Sequence, residues 1–118
     1  MKIDISTLPL DHPAVGWAVA ESLGIKVHVA GHKDSLCRIW HDYKEIVGAK
    51  PFYHQSPDVM VQLMEKFRIG VMPVIDRDTW KAYEYTMSSA SIRDTMIEAV
   101  LACFCKMKGE VEVPDELC

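Results

Sequence analysis

The sequence predicts a single α+β domain over residues 1–118, in which three helices form one layer on an antiparallel sheet of two hairpins. Three segments carry apolar residues at spacings of three and four, which is typical of helices that bury one face. Between them lie two pairs of segments that alternate apolar and polar residues, and a short turn joins each pair. Short turns favour antiparallel pairing, because parallel strands need a longer crossover. A chain of 118 residues is an ordinary length for one domain.

The strongest helix prediction covers residues 91–107, around which the rest of the chain is expected to pack. Ser91 is placed to cap the first turn, and Asp94 to face the positive end of the helix dipole. The apolar stripe consists of Ile92, Met96, Ala99, Val100, Cys103, Phe104 and Met107. Further apolar residues lie beside it, at Ile97, Leu101 and Cys105. A helix with so thin a polar face is expected to contact more than one neighbour.

Two shorter helices are indicated by their first turns. Asp11 is a suitable N-cap with Pro13 in the first turn, and Gly24 ends this helix. The second helix opens with a capping hydroxyl, a proline and an acid, in the order Ser56-Pro57-Asp58. Its predicted buried stripe is Val59, Met60, Leu63, Met64 and Phe67. Both segments are therefore expected to lay one apolar face on the core.

The two hairpins are predicted from alternation around short turns. Residues 25–30 and 36–43 form the first pair, and residues 71–75 and 79–86 form the second. Pro73 places its strand at an edge or beside a bulge, because proline has no N–H for the ladder. Two further alternating segments lie near the ends of the chain, at residues 2–6 and 110–113.

The charge balance and the apolar pattern exclude two broad classes of partner. The formal net charge is −4, with 13 Lys and Arg against 17 acidic residues, which argues against an extended nucleic-acid footprint. No apolar run approaches the length of a membrane span, and the first residues lack the apolar core of a signal peptide. We therefore expect a cytoplasmic protein that binds neither membrane nor extended nucleic acid.

No motif in the sequence indicates a reaction or a metal centre. Four of the five histidines and one nearby cysteine lack the spacing of a zinc site: His28, His32, His41, His54 and Cys37. Neither a nucleophile elbow nor a glycine-rich phosphate loop is present. The four cysteines fit reduced thiols that act as small apolar residues. The sequence therefore predicts a protein that is not an enzyme, with no cofactor and no metal.

Aromatic residues give the most specific functional signal. Trp and Tyr side chains on predicted strands, with basic residues nearby, can stack a base and neutralise a phosphate. The predicted ligand-binding residues are Trp80, Tyr83, Tyr85, Trp40, Arg77, Lys81 and Arg93. The same aromatic residues also suit a core, and packing is the stronger alternative for Trp40 and Trp80. Both interpretations stay open for Tyr83 and Tyr85, whose hydroxyls need partners if they are buried.

Several segments resemble small phage and prophage proteins of unknown function, the NinX-like family. They are Ser56-Pro57-Asp58, Ile69-Gly70-Val71-Met72-Pro73, Thr79-Trp80-Lys81-Ala82 and the ending from Lys108-Gly109 through Pro114-Asp115-Glu116-Leu117. The first helix is similar to that family's Leu-Asp-Trp-Ala-Val-Ala segment, with Val15-Gly16-Trp17-Ala18-Val19-Ala20. The chain departs from the family where a tryptophan and a Gly-Gly-Pro segment usually follow the Ser-Pro pair. The resemblance implies a dispensable phage or prophage accessory protein that acts inside a bacterial cell.

Two functional hypotheses follow from the residues and this resemblance, and an enzyme is a third, weaker one. The first is a non-catalytic protein that binds a small nucleotide-like ligand, for instance to withdraw a host immune signal. The second is an acidic inhibitor that covers a host nuclease or defence enzyme, since the acidic run after residue 109 resembles a row of phosphates in charge. A homo-oligomer is expected in the first case, because one short domain has little room for a deep pocket.

Overall fold

The computed structural model describes residues 1–30, 38–41 (backbone), 52–75, 77–86 and 88–117. Within these ranges it is a mixed α+β structure, as predicted, with antiparallel strand pairs. The helices are α1 (Pro13–Leu23), α2 (Pro57–Phe67) and α3 (Met96–Lys108). The strands are β1 (Lys2–Asp4), β2 (Val27–Ala30), β3 (Arg38–His41), β4 (Ile69–Pro73), β5 (Trp80–Glu84), β6 (Ala90–Arg93) and β7 (Glu110–Glu112). Predictions for His32, Cys37, Tyr43, Cys118 and the connection at 44–51 lie outside the described residues.

Both predicted hairpins are present, and they lie in separate sheets. Strand β2 pairs with β3, and β4 pairs with β5. Strand β6 extends the second hairpin into a three-stranded sheet in the order β4-β5-β6. The two short segments near the ends of the chain pair with each other, as β1 with β7.

Pro73 lies at an edge of the three-stranded sheet, as predicted. In an antiparallel ladder, hydrogen-bonded residue pairs alternate with pairs that are not hydrogen-bonded. Backbone bonds from Val74 N to Thr79 O and from Tyr85 N to Arg68 O show which pairs of the β4–β5 ladder are of the first kind. By this alternation Pro73 faces Trp80 in a pair without ladder bonds, so its missing N–H would point away from β5. The proline therefore costs the ladder nothing at this position.

The core is built around α3, which is buried on more than one side, as predicted. Four of the seven residues of the expected stripe are buried, and so are Leu101 and Cys105 beside it, while Ile97 is half-buried. The buried residues of α3 are Ala99, Val100, Leu101, Ala102, Cys103, Phe104 and Cys105. Phe104 meets Phe67 of α2 edge to face, with 5.5 Å between ring centroids. On another side α3 packs against β5 and β6. This helix thus joins the three-stranded sheet to α2.

The predicted beginning of α3 is wrong. Ser91 belongs to β6, and the helix begins at Met96 with Thr95 as its N-cap. Thr95 Oγ1 accepts a hydrogen bond from Glu98 N (3.2 Å) and donates one to Glu98 Oε1 (2.9 Å), which completes a capping pair that Ser91 and Asp94 do not form. Ile92 continues the spacing of the helical stripe but lies on a strand, where 48% of its surface is exposed.

The other two helices largely follow the sequence prediction. Helix α2 is capped by Ser56, whose hydroxyl accepts from Val59 N, as predicted. In α1 the N-cap is His12 and not Asp11, because His12 Nδ1 accepts a hydrogen bond from Ala14 N (3.0 Å). Gly24 ends α1 in the left-handed region with a φ of 71°, a conformation that favours glycine.

Candidate functional site

Strand β5 carries three of the seven predicted ligand-binding residues, and it divides them between two faces of the sheet. Ala82 is fully buried against the core, and Trp80, two residues away, packs on the same core. Lys81 and Tyr83 alternate with them and therefore lie on the opposite face. Trp80 thus contributes to packing, the stronger of its two alternatives, while Lys81 and Tyr83 are left on the side away from α3.

We call this second side the open face. The strand register places its side chains in two rows, one of Met72, Lys81 and Ile92 and the other of Gly70, Tyr83 and Ala90. Met72 is 46% exposed and Ile92 is 48% exposed. Lys81 lies between these two apolar side chains, so its positive charge has an apolar neighbour on each side.

Tyr83 is fixed on the open face by a contact with β4. A Cβ atom placed on Gly70 would stand 2.6 Å from Tyr83 Cζ and 2.7 Å from its hydroxyl oxygen. The far end of the ring therefore lies over the bare backbone of Gly70. On its other side Tyr83 faces Ala90, another small residue. Both cross-strand neighbours of Tyr83 therefore have a small side chain or none.

Tyr85 extends the open face beyond the end of β5. Its N–H donates to Arg68 O (3.1 Å), so the β4–β5 ladder continues and Tyr85 shares the side of Tyr83. Its side chain is 65% exposed, and the Arg68 guanidinium carbon lies 5.7 Å from the ring centroid. This is a cation–π contact at an exposed site.

Arg68 is a site residue that the sequence did not indicate. It caps α2 in the left-handed region, with a φ of 53°. Nothing in the sequence specifies that an arginine adopts this conformation or that its side chain reaches Tyr85. The open face therefore presents Lys81, Tyr83, Tyr85 and Arg68 in succession. Residues two apart on a strand are about 7 Å apart, so Lys81, Tyr83 and Tyr85 follow one another at this spacing. Arg68 lies across from Tyr85, with its guanidinium carbon near that ring.

The remaining predicted residues are not brought to the open face. Arg93 is paired with Trp80 and so lies on the helix side, where its guanidinium donates to Ile92 O (3.0 Å). Arg77 is exposed in the turn between β4 and β5. Trp40 belongs to β3 in the other hairpin, opposite His28, and its side chain lies outside the described residues. The open face thus contains three of the seven predicted residues.

Arg93 lines a separate surface cleft of about 440 Å³. The other lining residues are Leu8, Pro9, Leu10, Asp11, Gln55 and Glu98. One wall is held by His54, whose Nε2 lies 2.6 Å from Leu10 O. Burial lowers the pKa of His54, and this effect exceeds the opposing effect of the hydrogen bond to Leu10. The histidine is therefore best suited to act as a neutral donor that joins two segments.

A second cleft, of about 360 Å³, is acidic. It is lined by Ala18, Glu21, Ser22, Lys108, Glu110, Val111 and Glu112. In β7 Glu110 and Glu112 are exposed while Val111 is half-buried, which confirms the alternation expected there. Glu112 also accepts a hydrogen bond from the amino group of Met1 (2.9 Å).

The two cysteines of α3 are poorly suited to nucleophilic chemistry. Burial raises the pKa of Cys105 to about 12 and also raises the pKa of Cys103. Cys103 Sγ donates weakly to Ser89 O at 3.7 Å. Both thiols are buried in the core, as the sequence analysis expected of small apolar residues.

Two further properties concern only the part of the chain that the structure describes. No group of three or more histidine, cysteine, aspartate and glutamate side chains there lies close enough to hold a metal ion. No helix within those ranges combines the length and the apolar character needed to cross a membrane.

Comparison with known proteins gives no relative. No protein-family model, no curated protein and no solved structure matches this chain. Function is therefore inferred from the geometry of the open face and the two clefts.

Proposed function

We propose that this chain is a phage-type accessory protein, not an enzyme, that binds a small nucleotide-like ligand on the open face. The observation that carries this proposal is the succession of Lys81, Tyr83, Tyr85 and Arg68 on one exposed surface. Such a protein would act by withdrawing its ligand, for instance a host immune signal, from solution. Its phage context comes from the resemblance to NinX-like proteins.

The chemistry of the four side chains matches a planar ring joined to an anion. A phenol ring stacks on a base through its π face, and each such contact is worth about 1–3 kcal/mol. Neither Lys81 nor Arg68 forms an ion pair with another described residue, so both keep their charge available for a phosphate. Tyr85 is exposed on the open face, and Arg68 next to it can be displaced from the ring by a base.

The proposal is tested by native mass spectrometry of protein purified from bacterial cells, followed by denaturation and identification of any released small molecule. We expect the wild type and Tyr85→Phe to retain a nucleotide-like ligand. Tyr85→Ala and Lys81→Met should lose it. Tyr85→Phe is the matched control because it keeps the ring. A ligand retained equally by all variants would overturn the assignment to the open face, and an empty wild type would favour a protein partner.

The acidic cleft favours a second candidate, an inhibitor of a host nuclease or defence enzyme. Glu21, Glu110 and Glu112 place three carboxylates against the single cation Lys108 around one depression, a net negative charge that suits a basic nucleic-acid-binding surface. Charge reversal at Glu21 and Glu110 should abolish capture of a host enzyme if this candidate is right, while Tyr85→Ala should leave capture unchanged. Glu112 is left unchanged in this variant because it also forms an ion pair with the amino group of Met1.

A further inference from the structure

Strand β6 is one edge of the three-stranded sheet, and its outward carbonyls carry side-chain hydrogen bonds. The bond from Glu84 N to Ser89 O (3.0 Å) sets the alternation between β5 and β6. It follows that Ala90 and Ile92 are in pairs without ladder bonds, so their N–H and C=O groups point away from β5. An edge of this kind is a template for pairing with another strand.

Two cationic side chains occupy these outward carbonyls. Lys106 Nζ donates to Ala90 O at 2.7 Å, reaching the edge from the last turns of α3. Arg93 donates from a guanidinium nitrogen to Ile92 O at 3.0 Å. Both outward acceptors of β6 are therefore in use. Among the residues that the structure describes, none accepts a hydrogen bond from the N–H of Ala90 or Ile92.

The opposite edge is closed in another way. By the same alternation, Ile69, Val71 and Pro73 are the outward residues of β4. Ile69 is only 3% exposed, and Pro73 has no N–H to offer. Val71, the remaining outward residue of β4, is half-buried and packs against the core. The sheet is thus less able to extend at β4 than at β6 once the β6 carbonyls are released.

We infer that Lys106 and Arg93 close the β6 edge to strand addition and keep this chain from pairing through β6 with a second copy of itself. Antiparallel pairing of two β6 strands needs the carbonyls of Ala90 and Ile92 as acceptors, and each already accepts from a cationic side chain that would have to move aside. It would also bring the two cations of one copy next to those of the other, which is unfavourable. This role is independent of the ligand proposed for the open face.

The test compares Lys106→Met/Arg93→Met with a control of equal charge loss, Lys108→Met/Arg77→Met. Methionine keeps an apolar stem and removes the donor. Lys108 lies over the Phe67 ring and Arg77 in the β4–β5 turn, so neither reaches β6. Sedimentation velocity should show that the first variant associates at a concentration about tenfold or more below that of the control and the wild type. Equal association of all three proteins would overturn the inference.

Amide hydrogen exchange gives a second measurement, and its wild-type part does not depend on how the variants fold. In the wild type, the N–H groups of Ala90 and Ile92 should exchange rapidly while that of Ala82 in β5 is protected. In the associated variant, both edge amides should become protected. Strong protection of both amides in a monomeric wild type, or association of the variant with no new protection at β6, would contradict the inference.

Discussion

The Tyr83 ring reaches across the sheet to lie over Gly70, its direct partner in the β4–β5 register. Gly70 has no positive φ, so a side chain is excluded there by lack of space and not by the backbone. The contact holds an aromatic ring on the open face in a defined position. A residue without a side chain thus helps to determine the shape of the candidate site.

Replacement Gly70→Ala should therefore move the Tyr83 ring. The colliding atoms are the free end of a side chain that can swing away, so we expect the free energy of unfolding to fall by about 1 kcal/mol, the low end of overpacking costs. In a Tyr83→Ala background the same replacement should cost nothing. A double-mutant cycle from urea denaturation measures this coupling. Equal costs in both backgrounds would show that the ring does not occupy this space.

Thr95 should contribute to stability as the true N-cap of α3. We expect Thr95→Ala to lower the free energy of unfolding by about 1 kcal/mol, and Thr95→Ser to retain most of it. Ser91 gives the contrast, because it is only 3% exposed and its hydroxyl has no hydrogen-bond partner among the described residues. Ser91→Ala should leave stability unchanged or raise it. A larger loss for Ser91→Ala than for Thr95→Ala would contradict the capping assignment.

Stability should fall on acidification because of His54. Its pKa in the folded protein lies below the ordinary value of 6.5, so the unfolded chain takes up the proton first as the pH drops. The stabilisation is complete above pH 6.5 and is lost between 6.5 and the lower folded-state pKa, with a slope of at most about 1.4 kcal/mol per pH unit. His54→Gln keeps a donor for Leu10 O and does not titrate. Denaturation from pH 7.5 to 5 should give a shallower curve for this variant, and parallel curves would refute the role of His54.

Cys103 and Cys105 should resist thiol reagents in the native state. Burial raises the pKa of both thiols, so little thiolate forms near neutral pH. Iodoacetamide labelling at pH 8 with peptide mapping should modify neither residue until denaturant is added. Rapid native labelling of Cys105 would mean that this side of α3 opens readily to solvent.

The parts of the fold that could be predicted have their cause within a few neighbouring residues. Ser56-Pro57-Asp58 specifies the beginning of α2, and the alternation of apolar and polar residues indicates the paired strands β2–β3 and β4–β5. Strand β6 was missed because Ile92 continues the spacing of the α3 stripe into a strand of four residues. The Thr95-x-x-Glu98 pattern was the available signal for where the helix begins.

The candidate site was predictable in part for a similar reason. Alternation places Lys81, Tyr83 and Tyr85 on one side, but both faces of β5 carry an aromatic residue, so the sequence does not show which face is buried. The packing of α3 against the side of Ala82 decides it. The position of Arg68 depends on a left-handed helix cap and a contact between two strands, which no local pattern specifies.

The most direct test of the open face as the binding surface is an amide NMR titration with adenosine monophosphate as the probe. Binding should shift the amide signals of Lys81, Tyr83, Tyr85 and Arg68, with little change at Arg93 or Glu98 in the separate cleft. Tyr85→Ala should weaken binding by about tenfold or more, and Tyr85→Phe should not. Shifts confined to the Arg93 cleft, or no shifts at millimolar probe, would contradict the account.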